Sequence, residues 1–186
     1  MYKTVDASRI QISQLMLPSH SNFSGKIHGG YILNLMDQIA FACASKHSGS
    51  YCVTASVDTV DFINPIEVGE LVTMKASVNY VGKTSMVIGI RVEAENIQTG
   101  NIKHCNSSYF TMVAKASDGH PTTVPGLILN DKTEVKRFLK ALKRIETKLH
   151  RQEEFDHSNF SLENYLSKLK DYRVTINLPN DLKQKK

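Results

Sequence analysis

No stretch of this chain is apolar for long enough to cross a bilayer, and its first residues lack the apolar core of a secretion signal. The cytoplasm is therefore the expected location. Cysteine is scarce. Cys43, Cys52 and Cys105 are odd in number and far apart, which argues against a closed disulfide framework and fits a reducing compartment. Neither they nor the histidines at 47, 104, 120, 150 and 157 show metal-ligand spacing, so no metal and no other cofactor is expected. Also missing are an internal repeat, a Walker phosphate loop, and any helix-turn-helix, zinc or aromatic RNA-binding pattern. Nucleic acid is thus not the expected partner, although the net charge is +5 and suits anions generally. What remains is 186 residues, 41% apolar and 22% charged, enough for one ordinary globular domain with or without an appendage.

The most informative stretch is residues 22–37. A polar loop containing Gly25 runs into Gly29-Gly30, and a helical pattern starts at once: Ile32, Leu35, Met36, Ile39 and Cys43 share one face. Paired glycines at a helix start let another group approach the backbone, where the first N–H groups lack partners and carry partial positive charge. That is a receptor for a carbonyl oxygen or an anion. Asp37 follows beside the apolar stripe, about 100° around from Met36. A carboxylate there is expected to be partly desolvated and its pKa raised. An isolated Asp on a helix is more often plain solvated surface. The company of Asn22 and the glycines favours a functional role.

The remaining pattern is mostly β. Residues 9–17 form an expected first strand ended by Pro18, and the helix spans 30–47 up to Ser48-Gly49. In 52–63 the apolar phase changes after Val57, as at a bulge or bend. Clean alternation follows in 70–80 and 86–94, joined at Gly82-Lys83, and in 102–114 after Thr99-Gly100-Asn101. One long helix and an antiparallel meander predict an α+β fold with the sheet wrapped on the helix. The expected organisation is a domain over 8–118, a linker over 119–133 and an amphipathic helical extension over 134–186. In the extension Val135, Phe138, Leu142, Ile145 and Leu149 are spaced as a short coiled-coil seam, and a second helix is expected over 160–172.

Several segments together resemble the hotdog-fold acyl-CoA thioesterases, a group that includes the bacterial YciA-type enzymes and the cytosolic acyl-CoA hydrolases. They are Leu-Pro-Ser-His-Ser-Asn-Phe-Ser-Gly (17–25), Ile-His-Gly-Gly (27–30), Leu-Met-Asp (35–37), Val-Thr-Ala-Ser-Val-Asp (53–58), Phe-Ile-Asn-Pro-Ile-Glu-Val-Gly (62–69) and Val-Gly-Lys-Thr-Ser-Met (81–86). The likeness covers residues 14–115 and leaves the tail beyond Val124 aside.

This resemblance implies hydrolysis of acyl-CoA to fatty acid and CoA without metal. Asp37 would be the catalytic carboxylate, as general base or nucleophile, and Asn22 would orient water or substrate. The amides of Gly29 and Gly30 would polarise the thioester carbonyl, and Lys83, Thr84 and Ser85 would help hold the CoA moiety. It also implies a homodimer, assembled as a trimer of dimers, with Asn22 and Asp37 of one site coming from different chains. The resemblance implies a loop or pocket residue at His28, where the resembled enzymes often carry an aromatic; a Ser24-His28-Asp37 triad is not expected, because nothing around them marks a nucleophile elbow. Two rivals are a non-catalytic acyl-CoA-binding hotdog module acting as a ligand sensor, and a hotdog dehydratase. No DNA-binding helix pair supports the first, and no Asp-to-His pairing near the helix start supports the second.

Overall fold

The computed structural model describes residues 1–157, 169 and 172–175. Its order of elements is β1 (Tyr2–Thr4), β2 (Ile10–Leu15), α1 (Gly29–Ser48), β3 (Tyr51–Val57), β4 (Glu70–Val81), β5 (Ser85–Asn96), β6 (Asn101–Lys115), β7 (Gly126–Ile128) and α2 (Lys132–His157), with short 3₁₀ turns at Asp6–Ser8 and Pro18–His20. Five strands make one antiparallel sheet in the order β2-β4-β5-β6-β3. It curls around α1, which touches every one of these strands. This is the hotdog arrangement expected from the sequence.

Alternation explains the curl. Val72, Met74, Ala76 and Val78 of β4, Met86, Ile88, Ile90 and Val92 of β5, and Phe110 and Met112 of β6 all turn inward, at 4% exposure or less. They close on Ile32, Met36, Ile39 and Cys43, the helix stripe read from the sequence. Truncating Phe110 to alanine would cost roughly 3–5 kcal/mol, a large share of a typical domain's stability. Cys43, on the apolar face read from the sequence, is an inert core thiol. Burial pushes its pKa up to about 12, and its Sγ lies 3.2 Å from the Ser8 carbonyl oxygen. The helix stops at Gly49, whose φ of 73° is left-handed and whose N–H donates to the Ser45 carbonyl at 2.8 Å.

The phase change expected in the third strand is present. Register slips between Thr54 and Ser56, the strand ends at Val57, and residues 58–64 continue as irregular chain along β6. Not foreseen was a small parallel sheet in which β1 pairs β7. The segment expected as linker thus supplies a strand, and the compact unit runs from Met1 to Arg144.

The start of α2 is capped by Asp131, whose Oδ1 accepts the Thr133 and Glu134 N–H groups at 2.6 and 2.9 Å. Its packed face consists of Glu134, Phe138, Ala141 and Leu142, so it keeps Phe138 and Leu142 of the expected seam but not Val135, which is exposed. The reason is polar. Glu134 is buried, takes Arg9 Nη2 at 3.0 Å and accepts the Asn130 N–H at 2.8 Å, which fixes the helix rotation. A second unit begins at Ile145, of which the structure describes the rest of α2. The helix expected over 160–172 lies outside the described residues except at Leu169 and Tyr172.

Candidate active site

Helical geometry places Asp37 and Phe41 on one flank of α1, one turn apart and beside the buried stripe. The edge strand β3 runs along that flank. Between them lies an open groove of about 660 Å³ lined by Asp37, Gln38 and Phe41 of α1, Tyr51 to Thr54 of β3, and Met112 of β6. The Thr54 hydroxyl donates to Asp37 Oδ1 at 2.5 Å and lies 3.4 Å from the Met112 sulfur. A strong bond from a hydroxyl fixes the carboxylate's orientation while leaving its second oxygen free to act.

Asp37 itself is exposed. Among the described residues nothing supplies the partial desolvation expected of it, because no described strand lies beyond β3. Phe41, Tyr51 and Val57 are exposed on the same side, at 39%, 63% and 44%. An unpaired edge beside exposed aromatics is a surface suited to a second copy.

Asn22 is somewhere else. It sits in the loop before α1, and its side-chain oxygen accepts the Ser24 N–H at 2.9 Å, the Ser24 hydroxyl at 2.7 Å and the Lys26 N–H at 3.2 Å. Its Nδ2 has no acceptor among the described residues. An ion pair between Lys26 and Glu67 anchors the same loop. Asn22 therefore shapes the loop with its oxygen and keeps its amide donor for other work.

The glycines lie where the sequence put them. His28 precedes the helix, and its carbonyl accepts the N–H groups of Tyr31 and Ile32 at 3.0 and 3.3 Å. The Gly29 and Gly30 N–H groups have no acceptor among the described residues. Phe62 lies against Gly29 so closely that a Cβ there would stand 3.1 Å from its ring, whereas Gly30 faces open space. At 1.5 Å per residue these amides are about 10–12 Å along the helix from Asp37. One carbonyl cannot meet both groups of a single chain, so within one chain the site is not assembled.

Lys83, Thr84 and Ser85 form the β4–β5 turn, closed by the Gly82 N–H donating to the Ser85 carbonyl at 2.8 Å. Their carbonyls partly serve the fold, since those of Lys83 and Thr84 accept the Val124 and Ala114 N–H groups. None of the three lines the groove. Ser85 is nevertheless in register with Val113, and Val113 with Val53 on the groove wall. That row sets the turn about 10 Å from the groove, two strand spacings away. Thr54 is the residue that sequence reasoning missed. It falls in the quoted segment 53–58, but its link to Asp37 spans 17 residues and exists only in the folded chain.

Residues 24–101 match the thioesterase superfamily. Protein VdlD of Helicobacter pylori is 45% identical over 143 residues, which is 77% of this chain and 82% of that protein. The crystal structure of an apo-hexameric acyl-CoA thioesterase is similar with a TM-score of 0.79 and 35% identity, over 81% of this chain and 97% of that one. An acyl-CoA hydrolase of Staphylococcus aureus, solved with butyryl-CoA, CoA and CoA disulfide, matches at 29% identity and a TM-score of 0.78, over 90% and 99% of the two chains. The same hydrolase has been solved with alanine replacing an asparagine, an aspartate fifteen positions later and a threonine seventeen positions beyond that. Asn22, Asp37 and Thr54 stand at these same intervals.

Proposed function

The chain belongs to the acyl-CoA thioesterases of the thioesterase superfamily, and from that premise we propose that it hydrolyses acyl-CoA with Asp37 as its catalytic carboxylate and without a metal. The observation that carries this reading is the Thr54–Asp37 hydrogen bond in an apolar groove on an open sheet edge. A carboxylate aimed by a hydroxyl needs no metal to take a proton from water.

The site is completed by a second copy. Pairing at the β3 edge would cover Phe41 and Tyr51, withdraw Asp37 from water and bring the other copy's Asn22 loop and helix start towards it. Asp37 then removes a proton from a water whose oxygen attacks the thioester carbon. The carbonyl oxygen becomes negative and is held by the N–H groups of Gly29 and Gly30, where the helix end favours negative charge. The Asn22 amide positions the water. Collapse breaks the C–S bond, and the thiolate of CoA leaves with the proton that Asp37 carried. Lys83, Thr84 and Ser85 lie close enough to the groove to hold the far end of an extended CoA chain. The intervals shared with the Staphylococcus aureus variants and the hexameric relative support this reading and an assembly of three dimers. No helix among the described residues is long and apolar enough to cross a membrane; the proposed setting is the cytoplasm.

The test is thiol release over a panel of acyl-CoA chain lengths, with Asp37→Ala and Asn22→Ala alongside. General-base loss should lower turnover of Asp37→Ala roughly 100-fold or more while acyl-CoA binding persists. A non-catalytic binding module would bind the same panel and release no thiol from the wild-type protein. Turnover undiminished in Asp37→Ala would reject the assignment.

A further inference from the structure

One buried polar group is used by neither the fold nor the proposed reaction. Asn106 of β6 is fully buried, yet neither its Oδ1 nor its Nδ2 has a partner among the described residues. Register fixes where it points. Asn106 lies opposite Val92 of β5, and Val92 belongs to the core packed on α1, so the amide shares the inner face of the sheet. Its neighbours are apolar or otherwise engaged. Val92 and Cys105 are core residues, and the Ser108 hydroxyl donates to the Asp58 carbonyl at 3.3 Å. A buried amide without partners is a cost that an apolar residue of similar size would avoid.

The irregular chain 58–64 runs along β6 on the side away from β5. It is antiparallel to β6, because the Asp58 N–H donates to the Tyr109 carbonyl and the Ile63 N–H to the Cys105 carbonyl, each at 2.9 Å. That pairing sets Phe62 alongside Asn106 and on the same face. The far end of the Phe62 ring lies against Gly29, so the ring spans from the strand that carries Asn106 to the start of α1. Phe62 is 49% exposed, and residues 59–62 join no strand. Its ring can therefore turn outward without breaking a ladder. Turning it uncovers the Asn106 amide on the side where the Gly29 and Gly30 N–H groups stand free.

We propose that Asn106 sets substrate specificity: the protein prefers acyl-CoA whose acyl chain carries a hydroxyl near the thioester, and Phe62 turns aside to admit it. A hydroxyl answers both halves of the amide, accepting from Nδ2 and donating to Oδ1. A methylene in the same place leaves both unpaired, so the plain acyl chain is the disfavoured one. The proposal rests on the hydrolytic reading, in which the Gly29 and Gly30 amides hold the thioester carbonyl.

Thiol release from butyryl-CoA, 3-hydroxybutyryl-CoA and 4-hydroxybutyryl-CoA tests it, with the full chain and with Asn106→Leu. The wild-type protein should hydrolyse the better hydroxyacyl substrate with kcat/KM roughly tenfold or more above that for butyryl-CoA. Asn106→Leu, close in size and without polar atoms, should bring the two within about twofold by losing activity on the hydroxyacyl substrate. It should also melt no lower than the parent, since no orphaned amide remains. An asparagine that merely supports the fold would instead lower the melting temperature and leave the ratio where it was. A wild-type ratio near one or below overturns the proposal whether or not the variant folds, and so does a ratio unchanged in folded Asn106→Leu. Butyryl-CoA hydrolysis persisting in those cases would leave the hydrolytic reading intact. Thiol from none of the three substrates would overturn that reading and the proposal together.

Discussion

The loop before α1 and the edge strand β3 both carry residues of the proposed site, yet their polar groups and edges are satisfied in different ways. In the loop, the Asn22 oxygen accepts three hydrogen bonds from its own neighbours, Gly25 turns at φ 76°, and Lys26 pairs with Glu67. Along β3 no described strand pairs on its outer side, Asp37 is exposed, and the rings of Phe41 and Tyr51 meet edge on at 5.5 Å. A self-contained loop can be presented to a partner without changing shape. An open edge with exposed aromatics has to be completed by one. The contrast teaches that catalytic strength should depend on assembly as much as on Asp37.

The largest expected effect comes from the open side. Asp37→Ala should lose roughly 100-fold or more in turnover while the protein still assembles, as thiol release and sedimentation would report together. Tyr51→Asp should do comparable damage by another route. A charge on an exposed ring position that pairing would cover should yield monomers without activity; an active monomer would break the comparison.

The sharpest test mixes inactive parents. Asp37→Ala and Asn22→Ala chains, unfolded and reassembled together, should recover roughly a quarter of wild-type turnover, because half the dimers are mixed and each mixed dimer has one intact site. No recovery would mean that both residues act within one chain. A smaller loss, roughly tenfold, is expected for Thr54→Val, which keeps the shape of the side chain but removes the hydroxyl that orients the carboxylate. It should appear in kcat more than in KM.

The smallest effect concerns stability. His47, fully buried at the end of α1, donates from Nε2 to the Pro125 carbonyl at 3.0 Å and has no partner for Nδ1 among the described residues. Burial holds its pKa below the ordinary 6.5. The unfolded chain therefore takes up a proton first as pH falls. The stability that neutral His47 contributes is complete above about 6.5 and is lost as pH drops towards its folded pKa. Melting temperature should fall over that range, and His47→Gln should flatten the slope.

Much of the framework was legible because it follows from local pattern. Strict alternation in β4 and β5 could bury only one face, and the stripe from Ile32 to Cys43 could pack only against that face. The β1–β7 pair was hidden because three-residue strands carry no periodicity. At its first turn α2 docks through Glu134 and not through Val135, where the expected seam began, because a charged residue is the one that is buried. An acid is buried there only because Arg9, 125 positions earlier, meets it.

By itself the sequence determined the helix that follows the paired glycines, the meander that wraps it, and the identity of the acid at 37, since each depends on spacing along a short stretch of chain. Only the tertiary structure decided that Thr54 aims that acid, that Asn22 spends its oxygen on its own loop, and that the glycine amides stand two helical turns from Asp37. These are distances through space between residues far apart in the chain, and the folding of the curled sheet is what sets them.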